Sequence, residues 1–313
     1  MSRCAGVRKI IAVLALAAAV TPTRVFSSSV DNSDAAYVLQ DHYRGGDFAD
    51  AFTWETFDDP THGRVNYVSK DEAYSKNLSY HTSNIFVMRA DDIRKVGPDS
   101  RGRDSIRISS NKAYGDVSSS RCGTWPAWWT VSKKGPWPTG GEIDIIEGVN
   151  NGVENLSSLH SRPGCLLNKT TLMKGTVEST NCDARVSNNQ GCGVSYGDRA
   201  ASFGKPFNDA FAAAAVSPGS DWGLPDARFT LDACSFSSFF DPHKIIWDLT
   251  FCGDWGRAAY KSMGCPGSCE DYVDNSPEAF SEAYWLINSF RIYTQIPGTS
   301  PSALKINNGP SRL

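Results

Sequence analysis

Short apolar-aromatic runs, each closed off by Gly, Pro, Asn or Asp, recur along the chain and limit what it can fold into. NIFVMRA at 84–90, DSIRISS at 104–110, HKIIWDLTF at 243–251 and FRIYTQI at 290–296 all have strand length. β-Branched and aromatic residues fit a pleated, half-buried surface. Many such runs between turn residues predict an all-β sandwich or barrel. Little helix is expected. The alanine-rich stretch 211–216 is too short to hold a helix alone, and 277–283, behind the capping residues Asn275 and Ser276, predicts a turn or two. A length of 313 residues suits one large β domain or two small ones, and neither a repeat nor a clear linker is visible.

One run carries acids. GEIDIIEG at 141–148 sets Glu142, Asp144 and Glu147 among three isoleucines. On a regular strand, i and i+2 share a face, so Glu142 and Asp144 point together and Glu147 points away. A helix gathers Asp144 and Glu147 but leaves Glu142 round the barrel. One extra residue, supplied by the pair Ile145-Ile146, makes a β-bulge that shifts the phase and aligns all three. Carboxylates so aligned share protons, and a glycosidase needs such a set. One attacks the anomeric carbon, while another, kept protonated by neighbouring charge, donates to the leaving oxygen. An exposed acidic face and a calcium loop are the competing readings. The isoleucines disfavour the first, and the lack of Asp/Asn/Gly loop spacing disfavours the second. Trp125, Trp128, Trp129 and Trp137 lie just upstream. Indoles stack on the apolar faces of sugar rings. Trp128 and Trp129 are adjacent, so on a strand only one of them faces a cleft.

The compartment is also legible. Arg3, Arg8 and Lys9 flank an apolar run at 10–20 that is too short to span a bilayer, which predicts a secretory signal over 1–27. Residues 28–297 are then the functional domain, and the Pro/Ser/Asn-rich stretch 298–313 a disordered tail. Eight cysteines follow the signal: Cys122, Cys165, Cys182, Cys192, Cys234, Cys252, Cys265 and Cys269. In a secreted chain this predicts up to four disulfides with undetermined pairing. Cys265 and Cys269 have zinc-finger spacing, but no second pair follows, so no metal is expected. Sequons begin at Asn77, Asn155 and Asn168. A net charge of −3 without basic runs excludes a nucleic-acid partner. No membrane attachment is expected after the signal is removed, and the expected state is a monomer.

CGTWPAWW, WPTGGEIDIIEGVNN, LHSRPGC, NCDA, GCGV, WGLPDARF, FFDPHKIIWDLTFCGDW and EAYWLINSFRIY together resemble the secreted fungal laminarinase-type endo-β-1,3(4)-glucanases of glycoside hydrolase family 16. The likeness covers roughly residues 37–295 and includes the bulged form of the acidic motif. It implies a concanavalin A-like jelly-roll sandwich of two antiparallel sheets that acts on β-glucan without a cofactor. It implies Glu142 as nucleophile, Asp144 as assisting acid and Glu147 as acid/base. Trp137, His160, Arg103, Asn66 and Trp255 match substrate-binding positions. The resemblance also calls for strands that residues 115–121 and 211–221 are too short to supply. That shortness leaves a catalytically impaired glucan-binding protein as an alternative to the hydrolase, and cell-wall transglycosylation is the third reading.

Overall fold

The computed structural model describes residues 37–111, 121–197, 202–204 and 224–295. The shortened segments, the alanine-rich stretch, the signal and the tail lie outside these, apart from Arg121. All described residues belong to one compact unit. The strands are β1 (Tyr37–Tyr43), β2 (Phe52–Trp54), β3 (Val65–Tyr67), β4 (Ser79–His81), β5 (Phe86–Arg89), β6 (Arg103–Ser105), β7 (Arg107–Ser110), β8 (Thr124–Ser132), β9 (Glu142–Glu147), β10 (Leu156–His160), β11 (Leu166–Leu167), β12 (Thr176–Val177), β13 (Cys192–Ser195), β14 (Leu231–Asp232), β15 (His243–Phe251), β16 (Tyr284–Ile287) and β17 (Phe290–Gln295).

Eight of them form one sheet in the order β12-β13-β10-β9-β8-β15-β7-β2. Smaller sheets are β16-β5-β4, β1-β17, β3-β6 and β11-β14. Among the described strand pairs only β3-β6 is parallel. The non-consecutive neighbours β8, β15 and β7 are the long crossovers of a jelly roll. Alternation along β8 and β15 puts Trp128 and Trp247 on the inner face, where their rings stack with centroids 6.4 Å apart. Phe86, Met88, Trp285, Ile287 and Phe290 of the smaller sheets meet them in the same buried cluster. A second cluster around Leu159, Val194, Phe239 and Phe240 closes the β10–β13 end.

Helices are short and peripheral. Cys269–Asn275 is capped by the Ser268 side chain, and Pro277–Phe280 forms a 3₁₀ turn within the expected region. DSIRISS divides: Arg103–Ser105 joins β3 and Arg107–Ser110 joins the large sheet.

The cysteines pair 122–265, 165–234, 182–192 and 252–269. The finger-like spacing of Cys265 and Cys269 is therefore two half-disulfides to different partners. Cys122–Cys265 closes the longest loop, with a sequence separation of 143. Loop closure at that length constrains the unfolded chain by about 4–5 kcal/mol. The double variant Cys122→Ser/Cys265→Ser is expected to lose about that much unfolding free energy in chemical denaturation, more than Cys182→Ser/Cys192→Ser, whose separation is 10.

Candidate active site

Neighbouring strands in the large sheet bring three rows of side chains to its outer face. Ala127, Trp129 and Val131 of β8, each two residues apart, lie opposite Glu147, Asp144 and Glu142 of β9. The register breaks between Trp128 and Trp129, and Ile145 is the residue with no opposite number. Three steps on β9 thus match two on β8, and the bulge sets all three acids on one face. Gly140 and Gly141 launch β9 with φ of +86° and +82°. A Cβ on Gly141 would lie 2.3 Å from the Phe240 ring, so only glycine lets the turn pack there.

That turn returns Trp137 over the acids, where its indole N–H donates to Glu142 Oε2 at 3.0 Å. Trp137 is 45% exposed and offers its ring to solvent. At the other end, Trp125 donates to Glu147 Oε1 at 2.9 Å and meets Trp255 edge-on at 5.6 Å. Asp144 is buried between them and accepts from Ser158 Oγ at 2.9 Å and from His160 Nε2 at 3.1 Å. The other ring nitrogen of His160 faces Asn189 Oδ1 at 2.9 Å.

These surroundings set the charges. Burial first, then the charge of Asp144, lifts the Glu142 carboxyl to about 8. The same two causes push Glu147 well above the usual carboxylate range. Burial opposes a charged His160, but its hydrogen bond to Asp144 and the charges of all three acids outweigh it and raise the imidazole to about 10. His160 is therefore an imidazolium at neutral pH. Ligand atoms of Glu142, Asp144 and His160 all lie within 4.8 Å of one another. Both ring nitrogens of His160 are engaged, by Asp144 and by Asn189, and the set is arranged for proton chemistry.

Of the sequence-derived residues, the structure brings together Glu142, Asp144, Glu147, Trp137, His160 and, through Trp125, Trp255. It does not bring Arg103 to them. Arg103 is 1% exposed, stacks on Phe280, and donates to the backbone carbonyls of Val273, Asp91 and Arg94. Its guanidinium makes four hydrogen bonds to backbone carbonyls of these segments, away from the acids. Asn66 engages Asp104 at 2.6 Å and Arg101 at 3.4 Å, not the acids. Trp129 faces the acids and Trp128 the core.

The arginine on the acid face is Arg107, which sequence reasoning passed over. It lies opposite Asp248, which lies opposite Ala127, in the row of Glu147. Its guanidinium contacts Asp248 at 2.7 Å and Glu55 at 2.9 Å, with the rings of Phe57 and Trp129 each 4.9 Å away. The alternation of Ile106, Arg107 and Ile108 was the available signal, since the buried isoleucines turn Arg107 to the opposite face.

Comparison with known proteins agrees with this geometry. The chain matches a family model described as "XgeA-like, catalytic GH16 domain" over residues 52–215 and again over 209–293. A probable glycosidase of Schizosaccharomyces pombe is 38% identical over 82% of this chain and 69% of its own length. A probable endo-1,3(4)-beta-glucanase of Aspergillus flavus is 33% identical over 93% of this chain, which spans 49% of that relative. Laminarinase 16A from Phanerochaete chrysosporium, solved with β-glucans in donor and acceptor sites, superposes with a TM-score of 0.76 at 39% identity, covering 83% of this chain and all of that one. An elongating family 16 β-1,3-glucosyltransferase superposes with a TM-score of 0.75 at 33% identity, covering 82% of this chain and all of that one. With the jelly roll, the bulged row of acids and this match, the chain belongs to glycoside hydrolase family 16.

Proposed function

We propose that the protein is a secreted endo-glycosidase, with residues 28–297 as its catalytic domain, that cleaves internal β-1,3 or mixed β-1,3/1,4 bonds of glucan by double displacement. The row Glu142–Asp144–Glu147 carries the reading. Glu142 attacks the anomeric carbon while Glu147 gives its proton to the leaving oxygen; Glu147 then takes a proton from the water that frees the sugar. Asp144, held by Ser158 and His160, lies between them and helps raise Glu147, which keeps the proton there. Trp137 and Trp255 supply stacking surfaces on either side. No cofactor enters this scheme, and one chain suffices.

Four disulfides support the extracellular assignment. Among the described residues no helix is long and apolar enough to cross a membrane. The test is hydrolysis of laminarin and lichenan by purified protein, with the anomer of the first product read by NMR. Initial release of the α-anomer would overturn retention. Transfer to a sugar hydroxyl is the second reading, favoured by the likeness to the elongating glucosyltransferase. Products longer than the donor, formed when a laminari-oligosaccharide acceptor is added, would establish it.

The charges predict a pH profile. Glu142 must be ionised to attack, and its carboxyl sits at about 8, so the acid limb of kcat/KM should lie well above the ordinary 4.5. His160 pulls that limb down. His160→Gln removes a positive charge, disfavours ionised Glu142 and should move the acid limb to still higher pH. A limb that stays put, or moves down, contradicts the charge assignment.

A further inference from the structure

The bulge takes backbone groups out of the ladder. The β9–β10 pairing covers Glu142, Ile143 and Asp144 and ends there. Beyond it, the Ile145 carbonyl and the Glu147 N–H need partners, because buried backbone groups left unpaired are costly. Asn155, 1% exposed, supplies both. Its Oδ1 accepts from Glu147 N at 3.0 Å and its Nδ2 donates to Ile145 O at 2.9 Å. Ser157 Oγ makes a second bond to Ile145 O at 2.8 Å and is itself within 2.9 Å of Tyr196 Oη. Tyr196 N in turn donates to Asn155 O at 3.0 Å.

We propose that Asn155, backed by Ser157, is a positioning residue that clamps the bulge and so aims the Glu147 carboxyl at the leaving oxygen. The amide bridges both ends of the irregular step, which fixes the backbone of Glu147 relative to Asp144. Asn155 and Ser157 also make up a glycosylation sequon, and the structure spends both side chains internally. Its amide nitrogen is engaged by Ile145 O, so Asn155 is not a glycan site.

This inference rests on the hydrolase reading, and its test separates the two. A 2,4-dinitrophenyl β-glycoside of laminaribiose releases a leaving group that needs no proton. Added azide replaces the water that Glu147 would deprotonate. Asn155→Ala should lose about a hundredfold in kcat on laminarin with KM nearly unchanged, since a misplacement of about 1 Å suffices for that. On the activated substrate with azide it should lose less than about tenfold, because the proton-transfer contribution is bypassed. Glu147→Gln provides the reference pattern. Asn155→Asp keeps the side-chain size and the acceptor for Glu147 N–H but sets an oxygen against Ile145 O. It should show the same selectivity with a smaller loss, and decides the matter if Asn155→Ala does not fold. Equal losses on both substrates, or no loss on laminarin, overturn the clamp. Should the wild type cleave neither substrate, the hydrolase reading falls and the Trp125 indole N–H, bonded to Glu147, still reports on the clamp. Its NMR resonance should move in both Asn155 variants, and an unmoved resonance overturns the inference.

Discussion

Glu142→Gln is expected to lower hydrolysis of laminarin by roughly ten-thousandfold or more, because an amide cannot form the glycosyl-enzyme. Glu147→Gln should cost about a hundredfold to ten-thousandfold on the polysaccharide, the usual range for a lost proton donor. Neither loss should come from unfolding. A carboxyl whose folded value is raised from 4.5 to about 8 costs folded-state stability as the pH climbs through that window, since ionisation is disfavoured in the fold. Glutamine removes that cost, so Glu142→Gln should be at least as stable as wild type at pH 8 and above. Thermal melts beside the assay check both statements. Unchanged activity in either variant would end the assignment of the acids.

Arg107→Met should produce the largest loss of stability from a single substitution on the acid face. Arg107 and Asp248 are both nearly inaccessible, and Glu55 is only partly exposed. Burial works against the guanidinium charge, but Asp248, Tyr67 and Glu55 outweigh it. Deleting one member of a buried ion network leaves the others uncompensated, which typically costs about 3–5 kcal/mol. Urea unfolding at neutral pH should show a loss of that size. The loss should shrink as the pH falls below neutral, because burial lifts the Asp248 carboxyl to about 7 even beside Arg107. A midpoint within error of wild type would mean that the network contributes nothing net.

Arg103 and Arg107 show where sequence reasoning reached its limit. Both stand in one short stretch, GRDSIRISS, and the resemblance pointed to Arg103 alone. The chain divides between them into strands of different sheets. Arg103 then turns inward to carbonyls of residues 91, 94 and 273, while Arg107 meets Asp248 on the outer face. Those partners are far away in sequence, and no local period announces them. Asn155 was hidden in the same way. Its sequon left open a glycan acceptor or an unused surface triplet, because its role lies in filling backbone vacancies created on another strand.

The acid row, by contrast, was legible in full. Strand periodicity is a property of adjacent residues, so EIDIIE itself shows that one extra isoleucine must realign Glu147. Strand-forming runs, the split between Trp128 and Trp129 and the disulfide-forming cysteines were readable for the same reason, through local pattern and composition. The disulfide partners, the charges gathered around Arg107 and His160 and the clamp at the bulge were decided only by the tertiary structure. Each depends on which distant groups share a buried space, and there desolvation and charge act through distance rather than through order along the chain.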